Sequence, residues 1–145
     1  MKPINLLLIE DNEGDILLTK EAFEDSSMIA EIDVVKDGMA AINYFNKVLE
    51  DTTLTLPDLV LLDINLPKKN GQEVLTFIKD TEQLKHIPVI MLTTSSAEKD
   101  IIESYRHYAN CFITKPVDVN DFIEVISQVE NFWFNITQLP HLKSR

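Results

Sequence analysis

The sequence predicts an α/β fold built on a parallel sheet, and two observations support this class. Three apolar runs are almost continuous rather than alternating, which is typical of parallel strands covered on both faces. Stretches with helical spacing separate these runs, so that strand and helix alternate five times along the chain. At 145 residues with 45% hydrophobic content, the chain is long enough for one domain with a packed core.

The predicted strands follow from the apolar runs. The near-continuous runs cover residues 4–9, 59–62 and 89–92, and a shorter run covers residues 111–113. Residues 32–36 come closer to alternating between apolar and polar side chains, which suits an edge strand. The sheet is therefore expected to contain five strands.

Each predicted helix begins after a polar or glycine-containing segment. The first helix follows residues 11–13, the second begins near Gly38, and the third follows Asn70 and Gly71. Ser96 is expected to cap the fourth helix, because serine is a favoured N-cap residue. The fifth helix carries an apolar stripe that is expected to face the core. This stripe consists of Phe122, Val125, Ile126, Val129, Trp133 and Ile136.

Charge and composition argue against several classes of function. The 13 basic and 24 acidic residues give a net charge of −11, which disfavours nucleic acid or an anionic membrane as a direct partner. Three glycines are too few and too scattered for a glycine-rich phosphate loop. The single cysteine, Cys111, excludes an intrachain disulfide, and no apolar run reaches the roughly 18 residues of a membrane span. A cytoplasmic location is predicted.

Polar side chains follow the predicted central strands at the points where these strands end. Glu10 and Asp11 follow the first run, Asp63 the third strand, Thr93 the fourth and Lys115 the fifth. Taken singly, each has an ordinary explanation as a turn, helix-cap or loop residue. The carboxyl ends of parallel strands meet at one edge of the sheet, however, so these side chains are expected to gather there.

The gathered carboxylates imply a cation. Two carboxylates in close contact repel by about 4 kcal/mol at an effective dielectric constant near 20. Lys115 and a bound divalent metal are the two available sources of positive charge. A site of oxygen ligands alone favours Mg²⁺ over zinc. The sequence therefore predicts an acidic Mg²⁺ site beside a lysine.

Such a site suits phosphoryl transfer. The nucleophile would be a carboxylate, because no Ser-His or Cys-His pairing is present. Asp63 is the candidate, since it ends a central strand and is expected to lie deepest among the acids. Lys115 would balance the growing charge, and Thr93 would donate a hydrogen bond to a phosphoryl oxygen.

Four segments resemble the signature segments of the response-regulator receiver domain of two-component signalling. They are LLLIEDNEGD, LVLLDINLPKKNG, VIMLTTSS and CFITKP, and the resemblance runs from about residue 2 to residue 129. It implies a flavodoxin-like, doubly wound sheet of five parallel strands in the order 2-1-3-4-5, with helices on both faces. It also implies a single receiver domain over residues 1–145, with a slightly extended last helix and tail from about residue 118 and no output domain.

The resemblance assigns roles at the acceptor and the metal site. Asp63 matches the phosphoacceptor, and Glu10 and Asp11 match the acidic pair that helps to hold Mg²⁺. Asn65 matches the position whose backbone carbonyl completes the metal shell.

Three further roles are implied by the same resemblance. Thr93 matches the switch hydroxyl, Lys115 the phosphate-binding lysine and Phe112 the switch aromatic, where a tyrosine hydroxyl is often found in this family. The bond between Lys115 and Pro116 is expected to be cis, as is usual at this position.

The implied function is that of a phosphoacceptor rather than an enzyme. A sensor histidine kinase would supply the phosphoryl group, and the surface of the fourth helix, fifth strand and fifth helix would change in response. Slow dephosphorylation would reverse the change. The DINLPKKNG segment and the FW…LP tail are similar to small stand-alone regulators that partner bacterial phytochrome-type kinases.

The end of the chain suggests self-association. Ile123 and Phe134 fall off the apolar stripe of the fifth helix, on nearly the same face. With the neighbouring Phe132 and Trp133 they predict an apolar surface for a homodimer, although single exposed apolar residues are common.

Three other functions remain open. A phosphatase of the haloacid-dehalogenase type would also use an aspartate nucleophile, but it requires DxDx[TV] after the first strand. An FMN-binding flavodoxin shares the architecture, but the acids after the first strand would repel its phosphate. An interaction domain that works without phosphorylation is excluded only by a phosphorylation assay.

Overall fold

A single sheet carries helices on both faces in the computed structural model of the chain, which describes residues 3–24 and 26–140. The strands are β1 Ile4–Ile9, β2 Ile29–Val35, β3 Leu59–Leu62, β4 Val89–Thr93 and β5 Cys111–Thr114. The helices are α1 Glu13–Phe23, α2 Gly38–Glu50, α3 Gly71–Asp80, α4 Glu98–Arg106 and α5 Val119–Glu130, which continues into a π-helical segment, Asn131–Ile136. Within residues 3–24 and 26–140, no helix is long and apolar enough to cross a membrane.

The five strands are parallel and lie in the order β2-β1-β3-β4-β5, which confirms the predicted fold. The more alternating strand, β2, is an edge strand as expected, although it begins at Ile29 rather than at residue 32. The continuous apolar strands β3 and β4 are fully buried, because helices cover both of their faces.

The core forms two layers, one on each face of the sheet. On one face, buried side chains of α2 and α3 such as Phe45 and Ile78 pack against alternate strand residues. On the other face, side chains of α1 and α5 such as Phe23 and Ile126 pack against the remaining ones. This arrangement leaves the carboxyl edge of the sheet open between the helices.

Most of the helices begin at a side-chain cap. Asn12, Asp37, Asn70 and Asp118 each accept a hydrogen bond from a backbone N–H of the first turn of α1, α2, α3 and α5. The prediction that Ser96 caps α4 is wrong, because α4 follows Ala97 and has no side-chain cap. In its place, the Ser95 hydroxyl donates to the Asp100 carboxylate in the first turn.

The prediction that Phe134 lies off the core-facing stripe, in an exposed interface, is wrong. Phe134 is 2% exposed and its ring lies 5.6 Å from that of Phe23. The cause is the π-helical segment, in which Thr137 N–H donates to Phe132 O, five residues back. The wider turn brings Phe134 to the core face and leaves Ile136 exposed, where regular α-helical spacing would turn Ile136 inward.

The other residues of the predicted interface remain at least partly accessible. Ile123 is 38% and Phe132 49% exposed, whereas Trp133 is half-buried against the α1–α5 core. The predicted extended tail runs to residue 145, and residues 141–145 lie outside the described part of the chain.

The prediction of a cis bond between Lys115 and Pro116 is also wrong, since the described residues contain no cis peptide bond.

Candidate functional site

The ends of β1 and β3 bring two acidic residues together. Backbone ladder bonds continue past both strands, because Glu10 N–H donates to Val35 O and Asp63 N–H donates to Ile9 O, each at 3.0 Å. The central position of β1 between β2 and β3 therefore fixes the backbone of both residues at the same edge. Their side chains meet where the sequence predicted a polar cluster.

Glu10, Asp11 and Asp63 form a carboxylate cluster. One oxygen from each residue lies within 4.8 Å of the others, and Asp11 is the exposed member. Glu10 is 3% exposed and Asp63 is 6% exposed, so the expectation that Asp63 lies deepest is wrong. Hard divalent cations prefer carboxylate oxygens, and the absence of nitrogen or sulfur ligands in this cluster suits such a cation. The cluster could therefore hold a divalent metal through three carboxylates.

Lys115 reaches into this cluster from the end of β5. Its backbone N–H donates to Thr93 O at 2.6 Å, which extends the pairing of β4 with β5 by one residue. Its Nζ donates to Glu10 Oε1, to Asp15 Oδ2 at 2.9 Å and to Asp63 Oδ2 at 3.2 Å. The three ammonium protons are thus matched by three carboxylates, and the lysine side chain is buried.

The electrostatics of the cluster are dominated by its excess of carboxylates over the single ammonium. The pKa of Glu10 is raised to about 7, mainly by burial and in smaller part by the charge of Asp63, against the lowering influence of the hydrogen bond to Lys115. Burial by itself would lower the pKa of Lys115, but the hydrogen bond to Glu10 and the charge of Asp63 hold it above its ordinary value. Lys115 is therefore cationic. Because one ammonium faces several carboxylates, a further cation would stabilise the site.

Three other predicted site residues lie at or near the ends of β3, β4 and β5. Asn65 N–H donates to Asp63 Oδ1 at 3.3 Å, and the Asn65 side chain is exposed. Thr93 is completely buried, and its hydroxyl oxygen accepts from Ser95 N–H at 3.4 Å. Phe112 is half-buried against the core on the α2–α3 face, and its N–H donates to the Tyr105 hydroxyl at 3.2 Å.

The loop after β3 is held by a close approach of two backbone segments. Gly71 N–H donates to Ile64 O at 2.8 Å, at the start of α3. A Cβ atom on Gly71 would lie 2.1 Å from Asp63 O and 2.6 Å from Ile64 Cα, which no side chain can occupy. The glycine thus lets α3 pack directly under Asp63.

Asp15 was missed as a site residue by the sequence analysis. A signal for it was present, because Asp15 is a further acid in the first turn of the helix that directly follows Glu10 and Asp11. Its contact with Lys115 depends on a residue 100 positions away, which no local pattern indicates.

The geometry bears on the alternative functions. β1 is followed by Glu10 and Asp11, not by the DxDx[TV] segment of a haloacid-dehalogenase phosphatase, and the buried aspartate follows β3. The flavodoxin alternative places a phosphate group after β1, where this chain has the carboxylate cluster. Both alternatives therefore fit the site poorly.

Comparisons with known proteins agree with the resemblance seen in the four segments. A family model described as the response regulator receiver domain matches residues 6–127. Response regulator Rcp1 from Synechocystis sp. is 40% identical over 138 residues, which are 95% of this chain and 94% of Rcp1.

Two solved structures of such regulators are similar over nearly their whole length. The phosphorylated cyanobacterial phytochrome response regulator RcpA is 42% identical with a TM-score of 0.90, over 95% of this chain and 99% of that one. The Mn²⁺-bound form of Rcp1 is 40% identical with a TM-score of 0.89, over the same shares. The expected likeness to phytochrome-associated regulators is confirmed.

Proposed function

The chain belongs to the response regulator receiver domain family, and from this premise we propose that Asp63 is its phosphoacceptor. The observation that carries the proposal is the position of Asp63: a buried carboxylate, 3.2 Å from the Lys115 ammonium, within one cluster with Glu10 and Asp11. The donor is a phosphohistidine of a sensor kinase.

The transfer exchanges one bond to phosphorus for another. A carboxylate oxygen of Asp63 forms the new P–O bond while the P–N bond of the phosphohistidine breaks, and the imidazole nitrogen keeps the electron pair and takes up a proton. Lys115 Nζ already points at Asp63 Oδ2 and would balance the charge on the phosphoryl oxygens. The Thr93 hydroxyl, at the end of the neighbouring strand, would donate to one of these oxygens. Slow hydrolysis of the acyl phosphate would return Asp63.

The metal of this site is proposed to be Mg²⁺. Glu10, Asp11, Asp63 and the backbone carbonyl of Asn65 would hold it, and its all-oxygen donor set fits the cation. When bound, the ion neutralises part of the repulsion between Asp63 and the incoming anion. The existence of an Mn²⁺-bound form of the relative Rcp1 supports the binding of a divalent metal.

Phosphorylation is proposed to change the surface formed by α4, β5 and α5. Thr93 would move toward the phosphoryl group, and the half-buried Phe112 would turn into the space that the threonine leaves. Because Phe112 N–H is bonded to the Tyr105 hydroxyl, a shift of β5 would also be felt by α4.

The partner is proposed to be a histidine kinase of the phytochrome type, because the relative RcpA is a phytochrome response regulator. A homodimer through the region around Ile123 and Phe132, which stay exposed, remains a proposal. The cytoplasmic location and the single-domain organisation remain predictions.

The proposed function is tested by labelling with a small acyl phosphate in the presence of Mg²⁺. We expect one phosphoryl group on the wild-type protein and none on Asp63→Asn, which keeps the shape of the side chain but removes its charge. Asp80→Asn, an exposed acid at the far end of α3, is the matched control and should be labelled normally. Undiminished labelling of Asp63→Asn would refute the assignment.

A further inference from the structure

Among the residues that the structure describes, Asp15 is the one carboxylate bonded to Lys115 that does not belong to the carboxylate cluster of Glu10, Asp11 and Asp63. Glu10 and Asp63 contact Lys115 and are also members of the cluster with Asp11. Asp15 Oδ2 lies 2.9 Å from Lys115 Nζ, closer than Asp63 Oδ2 at 3.2 Å. Its side chain is 25% exposed and so stands at the solvent mouth of the site.

The position of Asp15 is fixed by the start of α1. Asp15 N–H donates to the Asn12 cap at 2.9 Å, and the Thr19 hydroxyl donates to Asp15 O at 2.7 Å. The cap itself is tied to the site, because Asn12 N–H donates to Glu10 Oε2 at 3.2 Å. The backbone of Asp15 is therefore held in place relative to β1, and its carboxylate reaches Lys115 from this position.

We propose that Asp15 is a positioning residue that holds the Lys115 ammonium at Asp63 during phosphoryl transfer. The inference rests on the proposed function of Asp63. Glu10 and Asp63 share their negative charge with a bound cation and, in the case of Asp63, with the incoming phosphoryl group, so that their hold on Lys115 weakens. Asp15 lies outside the cluster, so its attraction for Lys115 persists throughout phosphoryl transfer.

The need for such an anchor follows from the chemistry of lysine. The ammonium is a point charge on a flexible four-carbon stem, so its direction is set by its partners. With Asp15 in place, one N–H is committed to Asp15 and the others remain directed toward Glu10 and Asp63. Without it, the ammonium would spend less time beside the phosphoryl oxygens, where charge develops in the transition state.

An anchoring role and a competing role of Asp15 predict opposite effects of its removal on the rates of labelling and hydrolysis. If Asp15 anchors Lys115, its removal slows both labelling of Asp63 and hydrolysis of the product, because both steps develop charge on the same phosphoryl oxygens. If Asp15 merely competes for the lysine, its removal frees Lys115 and speeds both steps.

The test uses acetyl phosphate with saturating Mg²⁺ on the full chain, where Asp63 takes the phosphoryl group and acetate leaves with the electron pair. For Asp15→Ala we expect the maximal rate of labelling and the rate of dephosphorylation each to fall roughly three- to tenfold, as for the loss of one charge-assisted but partly solvated hydrogen bond. In Asp15→Asn, which keeps an acceptor oxygen, both rates should fall less than in Asp15→Ala. The concentration of Mn²⁺ that half-saturates the site should change little, because Asp15 is not in the cluster.

Glu13→Gln is the matched control. Glu13 lies in the same first turn of α1 and pairs with Lys36 at the surface, and it does not contact Lys115. Its rates should match those of the wild type. If the rates of Glu13→Gln fell as much as those of Asp15→Ala, the effect would come from the loss of any negative charge at the start of α1, and the proposal would be overturned.

Two further measurements separate positioning from a structural role. In a Lys115→Ala background, Asp15→Ala should add no further loss, because the residue through which it acts is gone. By ¹H–¹⁵N NMR with Mg²⁺ present, the Lys115 ammonium protons should exchange with water slowly in the wild type and faster in Asp15→Ala. Additive losses, faster transfer in Asp15→Ala or unchanged ammonium exchange would each overturn the proposal. A wild-type protein that takes no label refutes the role of Asp63 instead.

Discussion

Gln72 on α3 donates from Nε2 to the hydroxyl oxygen of Ser104 on α4 at 2.9 Å, and both side chains are buried. The same Nε2 lies 3.3 Å from Asp100 O, also on α4. Gln72 follows Gly71, whose backbone packs under Asp63, so this pair joins the segment after β3 to α4. The helix that we propose to move on phosphorylation is thus hydrogen-bonded to the second residue of α3.

Ser104→Ala is expected to destabilise the protein through this buried bond. A buried hydrogen bond contributes about 1 kcal/mol, and loss of the partner leaves the amide poorly satisfied. Ser127→Ala, at an exposed position of α5, gains the same helix propensity without losing such a bond. The free energy of unfolding in urea should therefore be about 1–2 kcal/mol lower for Ser104→Ala than for Ser127→Ala. Equal stabilities would mean that the bond contributes nothing.

Gly71→Ala is expected to damage both stability and labelling. The new Cβ would meet the backbone of Asp63 and Ile64, and neither can turn aside as a side chain would. Overpacking of this kind costs about 1–3 kcal/mol or more, and the displaced Asp63 should accept phosphoryl groups more slowly. At Gly14, also helical, a Cβ would meet only the Asn12 side chain at 3.2 Å. Gly14→Ala should therefore stay within about 1 kcal/mol of the wild type by urea unfolding.

Phe134→Ala and Phe132→Ala test the π-helical register. Removal of the buried Phe134 ring, which contacts Phe23, should cost about 3–5 kcal/mol of unfolding free energy. Phe132→Ala, at a half-exposed position, should lower the free energy of unfolding by less than about 1 kcal/mol, as is usual for surface substitutions. A loss for Phe134→Ala no larger than that for Phe132→Ala would contradict the π-helical register, in which Phe134 is the buried ring.

The proposed homodimer has a separate test in Phe132→Ser. If the exposed ring is part of the interface, the wild-type protein should have the mass of two chains by light scattering and the variant the mass of one. Thr94→Ser, at an exposed loop position after β4, is the control and should keep the wild-type mass. A wild-type monomer over the whole concentration range would contradict the proposal.

The sequence predicts those parts of the structure that depend on local patterns. The four strands with continuous apolar runs agree with the prediction to within one residue, because such runs and their ends are visible without tertiary information, whereas the more alternating β2 begins at Ile29 rather than at residue 32. The register after residue 130 was not, since one extra residue per turn in the π-helical segment exchanges the places of Phe134 and Ile136 without a mark in the composition. Asp15 was missed for a different reason: its contact with Lys115 forms only when the fold brings the end of β5 next to the start of α1.

Glu10 is expected to give the metal-free protein an unusual dependence of stability on pH. Its pKa is about 7 in the folded state, mainly because of burial, against 4.5 for an ordinary glutamate. Between these two values the folded state binds more protons than the unfolded chain, so the free energy of unfolding falls as pH rises through this window. The contribution of Lys115 stays constant there, because its raised pKa is reached only at strongly alkaline pH.

The measurement compares wild type with Glu10→Gln in chelator, by urea unfolding at several pH values. Relative to the variant, the wild type should lose up to about 3 kcal/mol between pH 4.5 and 7. Saturating Mn²⁺ should abolish this loss, because a cation in the cluster favours the ionised carboxylate, and the affinity for Mn²⁺ should rise over the same window as the competing proton leaves Glu10. Parallel curves for the two proteins would mean that Glu10 is ionised without metal. In that case, Lys115 would already neutralise it, and the cluster would have less need of a divalent cation than its carboxylate excess implies.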